Sequence, residues 1–115
     1  MITRYALFEG IIHPGQTEAF RAAVMADLLP LWKTFPGACS VRVTFAETRD
    51  PGAPEYPLIL AVNFADQDAL DAFLVHKMRM AGRAATDLVL ARFFSGRVHH
   101  HVTTAHEFTL EISHP

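Results

Sequence analysis

The stretch LILAVNFADQDALDAFLVH (residues 58–76) holds a strand, a turn and a helix in nineteen consecutive residues. Leu58 to Phe64 is nearly all apolar, as expected for a strand buried on both faces. Asp66 is placed to cap the following helix, and Asp68 adds negative charge to its first turn. Leu70, Phe73 and Leu74 then recur at helical spacing. The same unit occurs earlier, where Tyr5-Ala6-Leu7-Phe8 leads through a turn to a helix carrying Phe20, Val24, Leu28 and Leu31. One strand candidate precedes the second unit and one follows it, giving the order βαββαβ. That order predicts an α+β domain: a four-stranded antiparallel sheet with two helices on one face. The other face then needs a cover.

The remaining boundaries follow from local signals. The first strand, about Ile2 to Ile12, stops at His13-Pro14-Gly15. The first helix starts near Gln16 or Thr17 and extends its apolar stripe to Phe35. Pro30 removes a backbone donor inside it and is expected to kink or tighten it near Ala26. Pro36-Gly37 ends the helix. In strand two, Val41, Val43 and Phe45 alternate with Ser40, Arg42 and Thr44. Residues 49–57 contain Pro51, Gly52, Pro54 and Pro57 and read as an exposed connection. Gly82 is expected to break the second helix, which resumes from Leu88 to Phe94 before Ser95-Gly96. Strand four is expected from about Arg97 to Thr104. The tail, about 105–115, alternates from Phe108 to Ile112 in the pattern of a short extra strand.

A chain of 115 residues forms one domain, 1–115. With 50% hydrophobic residues and a net charge of −2, disorder and a basic nucleic-acid footprint are both excluded. The single cysteine, Cys39, has no internal disulfide partner and reads as a small hydrophobe. No signal-peptide pattern and no apolar run of about 20 residues is present, so a cytoplasmic, non-membrane protein is expected. No glycine-rich phosphate loop, GxSxG or HExxH motif occurs, and no cofactor is expected.

The sheet pattern also predicts assembly. With Tyr5, Leu7, Leu58, Leu60 and Val62 turned to the helices, the opposite face would carry Ala6, Phe8, Ile12, Ile59, Ala61 and Asn63. A contiguous apolar patch of that kind rarely stays in water. A homodimer that packs two such faces across a two-fold axis is the expected solution.

Residues 56–76 resemble the strand-three and helix-two segment of the stress-responsive A/B barrel family, and Pro36-Gly37-Ala38 resembles the turn such chains place before strand two. That family belongs to the dimeric α+β barrel superfamily, which has the ferredoxin-like fold and includes the antibiotic-biosynthesis monooxygenases. The resemblance covers about Thr3 to Val102 and implies a dimeric α+β barrel. Family members continue after the helix-two histidine as His-Pro-x-His, and in polyketide-cyclase-type relatives the second histidine is a base. Here the run is His76-Lys77-Met78-Arg79, and a guanidinium stays protonated at ordinary pH. Tyr5 stands where those cyclases place a histidine, Phe73 where they place a tyrosine, and Leu58 where they place a strand-three histidine. Phe64 and the spacing to His76 likewise differ from the heme-degrading relatives.

The resemblance therefore implies a pocket lined by Tyr5 and Phe73, with His76 and Arg79 one helical turn away as the charged partners of a small apolar or anionic ligand. Two functions follow. One is a small-molecule-binding or stress-associated protein without catalysis. The other is a cofactor-independent enzyme, monooxygenase-like or isomerase-like, in which Arg79, His76 and Tyr5 hold an oxyanion of an aromatic or polyketide-like compound. Among the other polar residues, His99 and His101 project from one face of strand four and His100 from the other. A His-x-His pair can bind a metal with further ligands, Glu9, His106 or Glu107 being available; the alternative is a polar edge strand near the dimer seam. Glu9 itself is expected to pair with an arginine or to carry a raised pKa.

Overall fold

The computed structural model describes residues 1–111. The chain runs β1 (Ile2–Ile12), α1 (Thr17–Ala23), a π-helical turn (Val24–Leu28), α2 (Leu29–Trp32), β2 (Ala38–Phe45), β3 (Leu58–Phe64), α3 (Gln67–Leu74), α4 (Lys77–Phe93) and β4 (Phe94–Thr104). The strands form one antiparallel sheet in the order β2-β3-β1-β4, the ferredoxin-like α+β arrangement that the βαββαβ order implied.

The helix before β2 is one continuous rod with a defect. Leu29 N–H reaches back to the Val24 carbonyl, five residues away, just before Pro30. Proline has no N–H to offer the carbonyl four residues earlier, so the backbone absorbs the mismatch as a π-turn around Ala26. The second helical segment departs from expectation. It breaks at Val75-His76, not at Gly82. His76 has extended backbone (ψ 144°) and its Nδ1 accepts the Met78 N–H at 3.0 Å, which caps α4. Gly82 is buried in the middle of α4 and interrupts nothing. Asp66 caps α3 as expected, accepting the Ala69 N–H at 2.9 Å. β4 starts directly from the end of α4, at Phe94. The extra strand expected in the tail does not form over residues 105–111; Ile112 onwards lies outside the described residues.

The register corrects the assignment of faces on β1. Ala6 pairs with Leu60 and Phe8 with Leu58, and directly paired residues share a face. The helix-facing side of the sheet thus carries Arg4, Ala6, Phe8, Leu58, Leu60, Val62 and Phe64. Packed on it are Phe20, Val24, Leu28 and Trp32 from the first helical rod and Leu70, Phe73, Val89 and Phe93 from the second. Tyr5 and Leu7 lie on the open face, beside Ala61 and Ile59. On that face the Thr3 hydroxyl donates to the Asn63 carbonyl oxygen, and Asn63 Nδ2 donates to Ser40 Oγ at 2.8 Å, which ties three strands together.

Gly10 and Gly96 face each other across β1 and β4. A Cβ on Gly10 would stand 2.2 Å from the Ser95 carbonyl oxygen, so only glycine permits this approach, and the Phe94 ring closes over the pair.

Candidate functional site

A cavity of about 480 Å³ lies between the helix-facing side of the sheet and α4. Its apolar wall comes from Trp32, Phe35, Phe73 and Phe94. Phe35 and Phe73 are tilted against each other with centroids 4.7 Å apart. Gly82 allows this packing, because its bare Cα lies against the Phe35 ring edge.

The polar lining is cationic. Arg79 and Arg83 are one turn apart on α4 and reach the cavity from the helix side. Arg4 reaches it from the sheet, on the inward parity of β1 with Ala6 and Phe8. His100 on β4 lies directly opposite Ala6 and completes the rim. Among the described residues, no carboxylate lies within 4 Å of Arg4, Arg79 or Arg83. Asp87 lines the same cavity without closing an ion pair to any of them. Burial, and then the charges of Arg79 and Arg83, lower the Arg4 pKa to about 10, which leaves it cationic. Burial, and then the charges of Arg4, Arg79 and Arg83, lower His100 to about 4. His100 is therefore a neutral imidazole at pH 7, with a free nitrogen available to a ligand.

Of the four ligand-contacting residues expected from sequence, Phe73 and Arg79 line this cavity together. Tyr5 is on the opposite side of the sheet, and His76 is occupied in capping α4. Arg4, Arg83 and His100 were not singled out. The i, i+4 spacing of Arg79 and Arg83 was a legible signal for one of them. Arg4 and His100 required the strand register.

His99 and His101 share the open face, opposite Leu7 and Tyr5. His99 Nε2 donates to Glu9 Oε1 at 2.6 Å, and Arg97 Nε lies 3.5 Å from the same oxygen. The His99 hydrogen bond, more than the charge of Arg97, holds the Glu9 carboxyl below its usual range, opposite to a raised pKa. No group of three metal-ligating side chains occurs among the described residues.

A second cavity, about 460 Å³, lies beneath the loop of residues 46–57. Its arginines are already engaged. Arg21 donates to the Ala46 carbonyl at 2.7 Å and stacks on Phe45, and Arg49 pairs with Glu55 at 2.9 Å. The contrast singles out the first cavity as the one with unspent positive charge.

No family model and no curated protein matches the chain. Solved structures do. An ethyl tert-butyl ether (ethd) family protein from Bacillus halodurans superposes with a TM-score of 0.69 at 19% identity, over 92% of this chain and 99% of that one. A dimeric ferredoxin-like protein of unknown function from Jannaschia sp. gives 0.60 at 20% identity, over 90% and 98%. SnoaB, a cofactor-independent oxygenase from Streptomyces nogalater, gives 0.57 at 17% identity, over 96% and 97%. At these identities the likeness establishes the ferredoxin-like fold, in agreement with the fold that the resemblance read from the sequence implied.

Proposed function

We propose that this chain is a homodimeric binding protein for a small anionic aromatic compound, held in the cavity between α4 and the sheet. One observation carries the reading: three guanidinium groups without a carboxylate partner converge on an aromatic-walled cavity. Arg4 and Arg79 are half-buried, and such charge is costly unless something compensates it. An anionic ligand supplies that compensation while its rings cover apolar surface, and the volume suits a compound of one or two fused rings.

The dimer rests on the open sheet face. Tyr5, Leu7 and Ile59 are only half-buried there, beside the exposed His101 and Arg42, and no helix among the described residues covers them. The Jannaschia neighbour is described as dimeric. Among the described residues no helix is long and apolar enough to cross a membrane, so a face-to-face dimer is the cover this sheet calls for. A cytoplasmic location is consistent with the same absence of an apolar span.

Trp32 is the only tryptophan and lines the cavity, so its fluorescence reports occupancy. Titration with benzoate should quench it. Arg79→Ala should weaken binding by about 1.5–3 kcal/mol, the worth of a hydrogen bond to a charged group. Arg42→Ala, on the other side of the sheet, should leave affinity unchanged. Equal losses from both, or none from Arg79, would place binding elsewhere.

The second reading is a cofactor-independent enzyme, and the neutral His100 favours it. A free imidazole nitrogen beside three guanidiniums is arranged to take a proton from a phenol or enol while the arginines hold the resulting anion. Oxygen consumption or isomerisation of an enolisable aromatic, lost in His100→Asn with binding retained, would select this reading over simple binding.

A further inference from the structure

Charge bookkeeping in the cavity goes further than "anionic". Arg4, Arg79 and Arg83 contribute three positive charges, since guanidiniums stay protonated. Asp87 contributes one negative charge. His100 and the aromatic wall contribute none. Arg97, the fourth arginine of the lining, is exposed and stands 3.5 Å from the Glu9 carboxylate, which offsets its charge, so the lining carries a net charge of +2. A monoanion leaves one positive charge uncompensated, and the repulsion among the arginines, which adds to burial in lowering Arg4 and His100, persists in part. The geometry also divides the cations between two walls. Arg4 stands on the sheet between Val62 and Val102, while Arg79 and Arg83 stand on α4 across the cavity. One carboxylate cannot meet both walls at bidentate geometry as well as two can.

We propose that the cavity takes a planar aromatic dianion, with two neighbouring anionic groups bridging Arg4 on the sheet to Arg79 and Arg83 on α4 and the ring system lying against Phe35 and Phe73. The inference rests on the reading of this cavity as the binding site. It adds that the charge of the ligand, and not its aromatic body alone, selects it. Arg83 is then a specificity-determining residue: it lies at the exposed end of the cluster, where it meets the second anionic group.

A matched pair of probes tests this: 2-naphthoate and naphthalene-2,3-dicarboxylate share one ring system and differ by one carboxylate. Calorimetric titration at pH 7.5 should show the dicarboxylate binding at least about tenfold tighter, the effect of one further charge-assisted hydrogen bond. Arg83→Gln is a surface change on α4 that keeps the helix, and it should bring the two probes within about twofold while 2-naphthoate still binds. Equal affinity of the two probes for the unaltered protein would overturn the dianion inference and leave the cavity reading standing. No binding of either probe would overturn both. Inorganic phosphate binding as tightly as the dicarboxylate would overturn the inference by removing the role of the ring system. So would a dicarboxylate preference that survives Arg83→Gln unchanged.

Discussion

Gly82→Ala is the most direct test of how the cavity wall is held. Gly82 lies in the buried face of α4, where a Cβ would meet Cε1 and Cζ of Phe35 at 2.8 Å. Ordinary contacts start near 3.4 Å, so the ring edge must retreat by about 0.6 Å. Phe35 has one way to move cheaply, by swinging on its own χ angles against Phe73, which sits 4.7 Å away and lines the same cavity. Two opposing terms set the stability change. Alanine is better than glycine in a helix interior by about 1 kcal/mol. Overpacking costs about 1–3 kcal/mol. The net is a loss of about 0–2 kcal/mol, small beside its effect on the site. Urea unfolding followed by Trp32 fluorescence measures the first quantity, and calorimetry with 2-naphthoate the second. Affinity should fall by about tenfold, a typical cost of displacing a binding wall by a fraction of an ångström. The double variant Gly82→Ala/Phe35→Leu should recover part of the stability, because the shorter side chain relieves the clash, and the two changes should be non-additive. Unchanged affinity, or strict additivity of the two substitutions, would refute the claim that Gly82 positions the Phe35 wall.

Two further outcomes follow from the sheet. His100 has its pKa lowered from an unfolded value near 6.5 to about 4, so the unfolded chain binds a proton that the folded chain refuses over that interval. Stability at this site is complete above about pH 6.5 and is lost as pH falls toward 4; Glu9, also lowered but from 4.5, loses its contribution only at lower pH. Thermal unfolding should therefore show the unaltered protein losing more of its midpoint temperature between pH 7 and pH 5 than His100→Asn does, and a parallel decline of the two would place the titrating group elsewhere. Leu7→Asp puts a charge in the centre of the open face without touching the helix-side core; light scattering should show a dimer for the unaltered chain and a monomer for the variant, with an unaltered chain that is monomeric at micromolar concentration counting against the dimer.

How much of this was legible in the sequence depended on whether neighbouring residues alone decided the outcome. The element order did, because helical and strand periods were clear in Leu58 to Leu74 and in Phe20 to Leu31. Pro30 did as well, since a missing N–H must be absorbed within one turn, and it appears as the π-turn over Val24–Leu28. The faces of β1 did not. Tyr5 and Leu7 are as apolar as Ala6 and Phe8, so both parities fit a buried strand, and only pairing with Leu58 and Leu60 selects one. Arg4 made the choice harder, because a charged residue on the inward parity reads as an outward one. The helix break at Val75-His76 was masked by Gly82, whose poor helix propensity is offset by the room it leaves for Phe35.

Three positions of the candidate site, Arg4, Arg83 and His100, went unread in the sequence, and there is a physical reason for that. Patterning rules succeed where each residue serves the core, and they fail where a residue is held against its preference. Arg4 occupies a slot between Val62 and Val102 that an apolar side chain would fill at lower cost in desolvation. Arg79 and Arg83 line the same cavity from α4, Arg79 half-buried and Arg83 at its exposed end. His100 loses most of its basicity, first to burial and then to the charges of those arginines. None of these placements stabilises the empty chain, and together they form one cationic concavity with an aromatic wall. A fold that needed only a core would have no use for that arrangement. On the proposed reading, a negatively charged ligand is what would make burial, charge and position mutually consistent.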